Sequence, residues 1–142
     1  MKFLVINGPN LNILGEREPD KYGVKTLAQI NNELKSFAEE NGVQVEFYQS
    51  NVEGEIVNAL QNAKNNFDGL IINPAAYTHT SVAIRDALLA TKIPAVEVHL
   101  SNVYSREEFR QTTYTTGVCI GQIAGFGGYG YQLALLALKN SF

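Results

Sequence analysis

Residues 69–100 read GLIINPAAYTHTSVAIRDALLATKIPAVEVHL, and this stretch decides the fold. A short apolar run, Gly69 to Asn73, is followed by Thr80 and Ser81, either of which can cap a helix. Val82, Ile84, Leu88 and Leu89 then recur at helical spacing, and the helix must stop before Pro94. A second apolar run, Ala95 to Leu100, follows at once. Strand, helix and strand within 32 residues form a βαβ unit with parallel strands.

The same alternation extends in both directions. Lys2 to Asn7, Val43 to Tyr48 and Gly117 to Ile123 read as three further strands. Thr26 precedes an apolar stripe of Leu27, Ile30, Leu34, Phe37 and Ala38 that ends near Gly42. Ile56, Val57, Leu60, Ala63 and Phe67 repeat the pattern, and a last helix starts near Tyr129 with Leu133, Leu135, Leu136 and Leu138. The expected fold is α/β, a doubly wound parallel sheet of five strands forming a single domain over residues 1–142.

Composition narrows the function. Eleven Lys plus Arg against 14 Asp plus Glu leave a net charge of −3, which offers no electrostatic footprint for nucleic acid. One cysteine and two histidines argue against a disulfide framework and against a zinc or redox-metal site. Cys119, between Val118 and Ile120, reads as a small buried hydrophobe. No apolar run approaches the roughly 18–20 residues of a membrane span, and Met1 to Asn10 lacks the features of a signal peptide. The expectation is a cytoplasmic protein without membrane attachment.

In an open parallel sheet, ligands bind at the carboxyl ends of the strands beside the point where strand order reverses. With strand order 2-1-3-4-5, the exits of strands one, three and four share one crevice. Those exits carry Asn7 to Asn10, Asn73 to Ser81, and Glu97 to Asn102, so both histidines, His79 and His99, fall there. Glu97 and His99 lie two apart and share a face of their strand. Arg106 and Arg110, four apart, share a face if their segment is helical. Gly8 to Val24 is longer than the 2–6 residues usual for a βα connection, and with Asn10, Asn12, Arg17 and Tyr22 it reads as a working loop.

Gly125 to Gly130 fits G-x-G-x-x-G. A dinucleotide fingerprint also needs a further strand and an acidic residue about 20 positions on, and the twelve residues after Gly130 hold neither. The glycines read instead as close packing of a helix on its strand. No G-x-S-x-G elbow or P-loop is present. The crevice inventory of a phenol, an imidazole, guanidinium groups and amides suits proton transfer. Tyr22 is a credible base if nearby guanidinium groups lower its pKa by about 3 units, or about 4 kcal/mol. Histidine suits the acid role.

Gly8-Pro9-Asn10-Leu11-Asn12, Leu14-Gly15, Arg17-Glu18-Pro19 and Tyr22-Gly23 form one set of motifs. Asn73 to Ser81, Glu97 to Asn102 and Arg106 to Arg110 form the others. Together they resemble the type II 3-dehydroquinate dehydratases. The resemblance implies a flavodoxin-like fold of strand order 2-1-3-4-5. It implies a hydro-lyase of the shikimate or quinate pathways that converts 3-dehydroquinate to 3-dehydroshikimate through an enolate, with no cofactor and no metal. It gives Tyr22 the role of base, Arg17 that of its neighbouring cation, His99 that of acid, and Asn10 that of holding a water at the enolate oxygen. Asn73, His79, Asp86 and Arg110 would grip substrate hydroxyls, and the backbone at Leu100 and Ser101 would take the carboxylate. Glu97 is expected to orient His99. The family forms dodecamers of trimers, and a trimer contact would bring Asp86 to a neighbouring site. Ala75 replaces the Gly often found after Asn-Pro. The rival expectation is a flavodoxin-like small-molecule or flavin-binding module without catalysis, which with flavin would purify coloured.

Overall fold

A computed structural model describes residues 1–16, 18, 20 and 23–142. The strands are β1 (Lys2–Asn7), β2 (Gln44–Gln49), β3 (Gly69–Asn73), β4 (Ala95–His99) and β5 (Gly121–Ala124). The helices are α1 (Leu27–Glu40), α2 (Glu53–Ala63), α3 (Val82–Thr91) and α4 (Tyr129–Lys139). All strand pairings are parallel, as the alternation predicts, and their order is β2-β1-β3-β4-β5, as the resemblance implies.

Parallel central strands are buried on both faces, so they are nearly continuous in apolar residues. Phe3 and Val5 of β1 pack with Ile30, Leu34, Leu135 and Leu138 from α1 and α4. Leu4 and Ile6, pointing the other way, pack with Ile56, Leu60, Ile84 and Leu88 from α2 and α3. The same period of two runs along β4: Val96 and Val98 join the first cluster and Ala95 the second, which places Glu97 and His99 on the face of Ala95. Among the described residues no helix is long and apolar enough to cross a membrane.

Local chemistry sets the helix starts. The Thr26 hydroxyl accepts from Gln29 N at 3.2 Å while Gln29 Oε1 accepts from Thr26 N at 2.8 Å, a capping box. At α3 it is Ser81, not Thr80, that caps, its Oγ 2.9 Å from Ile84 N. Three strands differ from expectation in their bounds. Val43 closes the end of α1 by donating to Ala38 O at 2.9 Å, so β2 begins one residue later. β4 stops at His99, where Leu100 O turns to accept Gly127 N at 2.9 Å. β5 begins at Gly121 because Thr116–Val118 forms a 3-10 turn; the hydroxyls of Thr115 and Thr116 are drawn inward by Glu97. The expected close packing of the last helix on its strand is seen at Gly130 of α4, where an added Cβ would stand 3.3 Å from Val98 of β4 and 3.6 Å from Ile123 of β5.

Candidate active site

The exits of β1, β3 and β4 line one crevice of about 540 Å³, its open mouth included. Its lining takes Asn10 from the first exit, Asn73, Ala75 and His79 from the third, and His99, Leu100 and Ser101 from the fourth, with Arg106 and Arg110 beyond. Each lies where the sequence expectation placed it. Asp86, expected at a neighbouring subunit's site, is exposed on α3 and lies outside this lining within one chain. Arg17 and Tyr22 lie outside the described residues.

Two close approaches shape the crevice. Gly8 N donates to Asn73 O at 2.8 Å, and a Cβ at Gly8 would fall 2.5 Å from the Pro74 carbonyl oxygen, so only glycine lets the two exits meet. Gly8→Ala is expected to destabilise the protein by about 2 kcal/mol in urea denaturation, the scale of overpacking against fixed backbone; an unchanged midpoint contradicts this contact. Asn10, at φ 70, donates its N–H to Asn51 Oδ1 at 2.9 Å. Ala75 takes φ 52, a left-handed conformation that costs glycine less than alanine.

Asn73 is held from below. Its Nδ2 donates to Tyr131 Oη at 3.0 Å, and its Oδ1 accepts from Ala75 N at 3.0 Å. Tyr131, 1% exposed, in turn donates to Asn7 Oδ1 on the neighbouring strand, and burial pushes its phenol far above the usual range. Asn73 therefore enters the crevice with its amide orientation set by α4 and by the turn that follows β3.

The two histidines are presented differently. His79 Nδ1 lies 2.8 Å from the Thr112 carbonyl, an acceptor only, so Nδ1 carries the proton and Nε2 is the acceptor in the neutral ring. Burial lowers its pKa, Thr112 works against that, and His99 and Arg110 lower it further. The unfolded chain thus binds a proton that the folded one releases between the ordinary value of about 6.5 and the lower folded one. Stability at His79 is full above that window and lost as pH falls through it. The thermal midpoint is expected to drop from pH 7 toward pH 5, with a shallower slope in His79→Gln; identical slopes refute the assignment.

His99, 5% exposed, places Nε2 at 2.9 Å from Oε2 of Glu97, a residue with no exposure. Burial pushes the Glu97 carboxyl up, but the His99 hydrogen bond and charge, then Thr115 and Thr116, outweigh it and leave the carboxyl below the usual range. The positioning role expected of Glu97 thus has a direct contact behind it. Arg106 and Arg110 do not share a helix: Val103–Ser105 and Glu108–Gln111 are separate 3-10 turns. Both still reach the crevice. Arg106 Nη1 donates to Ser101 Oγ at 3.1 Å, and Arg110 Nε donates to Glu107 at 2.6 Å. Its own backbone N–H and then Arg110 hold the exposed Glu107 carboxyl down at about 2.

Cys119 is half-buried, and burial followed by the charge of Glu97 pushes its thiol up to about 12, which makes it a poor nucleophile. Thr78, Thr115, Thr116, Gln122, Tyr131 and Asn51 escaped the sequence reading. One signal was available for some of them: a carboxylate in the apolar run of β4 must have donors, and Gln122 is its register partner on β5.

The chain matches the model of the family described as dehydroquinase class II over residues 1–139. It is 58% identical over 138 residues to a 3-dehydroquinate dehydratase of Carboxydothermus hydrogenoformans, covering 97% of this chain and 90% of that protein. A 3-dehydroquinate dehydratase of Clostridium perfringens is 56% identical over 141 residues, with 99% and 98% covered. The crystal structure of a type II dehydroquinase from Butyrivibrio crossotus superposes with a TM-score of 0.96 at 50% identity, covering 98% of this chain and 97% of that one. The chain belongs to the class II dehydroquinase family.

Proposed function

We propose that this protein is a hydro-lyase that dehydrates 3-dehydroquinate to 3-dehydroshikimate in one catalytic domain. The observation that carries the reading is the His99–Glu97 pair, an imidazole at the crevice wall with its far nitrogen 2.9 Å from a buried carboxylate. That pair can hold a proton and release it into the crevice.

Tyr22, as phenolate beside the Arg17 guanidinium, takes a proton from the carbon next to the ketone, and the C–H electrons form an enolate. Asn10 holds a water at the enolate oxygen. Collapse of the enolate forms the new double bond and breaks the C–O bond, while His99 gives its proton to the departing hydroxyl, which leaves as water. Asn73, His79 and Arg110 meet the substrate hydroxyls: Asn73 offers an amide N–H and neutral His79 an acceptor nitrogen. The Leu100 and Ser101 backbone receives the carboxylate as an anion nest, with Arg106 close by. Asp86 joins from an adjacent subunit of a trimer-based dodecamer. Product one water lighter than 3-dehydroquinate, detected by mass spectrometry, supports this reading. The described crevice lining holds no lysine, so treatment with substrate and borohydride is expected to leave the rate intact. Absence of product overturns the function, and inactivation by borohydride overturns the proton-transfer route.

A further inference from the structure

Glu97 stands in the middle of β4 between Val96 and Val98, without solvent contact, where an ionised carboxylate persists only if donors surround it. Three elements supply them, and a fourth backs them. Thr115 Oγ1 donates to Oε1 and Thr116 Oγ1 to Oε2. Gln122 Nε2 on β5 lies 3.4 Å from Oε2, and His99 Nε2 lies 2.9 Å from the same oxygen. Thr78 Oγ1 is 3.4 and 3.3 Å from the two oxygens and 2.7 Å from Thr115 Oγ1. A hydroxyl has one proton. Thr115 gives its own to Glu97, so at the 2.7 Å contact Thr78 is the donor, and the chain of protons runs toward the carboxylate. With an acceptor-only carboxylate before it, His99 Nε2 must carry a proton, which leaves Nδ1 as the nitrogen available to the crevice.

We propose that Thr115 and Thr116 are positioning residues for the proton transfer: their hydroxyls keep Glu97 ionised inside the sheet, and through it fix His99 with Nε2 protonated and Nδ1 serving the crevice. This rests on His99 being the proton donor of the reaction. Among the described residues, the other titratable groups facing Glu97 are His79, from the turn after β3, and Cys119, after the 116–118 turn; both feel its negative charge. Neither hydroxyl needs to touch substrate.

Valine keeps the shape of threonine without its hydroxyl, and serine keeps the hydroxyl. Thr116 is half-buried and Thr115 fully buried, so Thr116→Val is the milder variant. Two readouts are followed against pH: the ¹³C shift of the labelled Glu97 carboxyl, and kcat with 3-dehydroquinate. In Thr116→Val the Glu97 midpoint and the acid limb of kcat are both expected to rise by about one pH unit, the scale of one hydrogen bond to a charged group. Thr116→Ser should return both toward the parent. Thr115→Val and Thr115→Ser repeat the comparison at the other oxygen, so a variant that fails to fold leaves its counterpart to decide. An unmoved carboxyl midpoint overturns the proposal, as does an unmoved acid limb with kcat scaled equally at every pH. If the parent protein turns over no 3-dehydroquinate, the functional reading fails, and the carboxyl titration alone then decides what the threonines do.

Discussion

His99→Ala is expected to lose about 10²- to 10⁴-fold in kcat, the range supplied by a positioned proton donor, with KM for 3-dehydroquinate little changed. The hydroxyl would then have to leave without a proton, because the other described groups at the β4 exit are poor acids: the Ser101 hydroxyl, which accepts from Arg106, does not titrate near neutrality as an imidazole does, and the Leu100 carbonyl has no proton to give. The variant also removes a hydrogen-bond donor from a fully buried carboxylate, so a stability loss of about 1–3 kcal/mol accompanies it. Urea denaturation separates the two effects, because the protein must be shown folded at the assay temperature before kcat is read. Glu97→Gln should lower turnover less and change its pH profile, since an amide still packs beside the ring but supplies no negative charge. Full activity in His99→Ala removes His99 from the mechanism; an unchanged rate and pH profile in Glu97→Gln removes the carboxylate.

The second large effect concerns the loop that joins β1 to α1. Tyr22→Phe is expected to abolish most turnover, again by about 10²- to 10⁴-fold, while leaving folding intact. An ordinary phenol ionises near pH 10, so a working base near neutrality needs about 4 kcal/mol of stabilisation for its phenolate. That stabilisation is assigned to Arg17, and its removal in Arg17→Gln should shift the basic requirement of kcat to higher pH. Both residues lie outside the described residues, so kinetics is their direct test. A Tyr22→Phe protein with parent-like kcat would show that another group takes the proton.

The sheet was legible because its information is local. Val- and Ile-rich runs, the Thr26 and Ser81 caps and the Pro94 stop are each written within a few residues, and parallel pairing follows from alternation, whereas the strand order came only with the family resemblance. The crevice was legible because strand exits are where a parallel sheet gathers polar residues, and Asn10, Asn73, His79, His99 and Arg110 all meet there. What supports those residues was not. Tyr131 reaches Asn73 across 58 positions and Asn7 across 124, and Thr115 reaches Glu97 across 18; topology, not periodicity, creates these pairs. The late start of β5 has the same origin: the run from Gly117 has the composition of a strand, but hydroxyls recruited by a buried carboxylate bend it into a turn first. Arg106 and Arg110 converge through two separate turns, a geometry that a four-residue spacing does not encode. Asp86 sits on the exposed side of α3, and only a second subunit would bring it to a crevice.

Turnover of 3-dehydroquinate is the decisive test. Purified, folded protein dialysed against a metal chelator and mixed with 3-dehydroquinate should produce a saturable, protein-dependent rise in the absorbance of the conjugated enone. A flat trace from folded protein would contradict it.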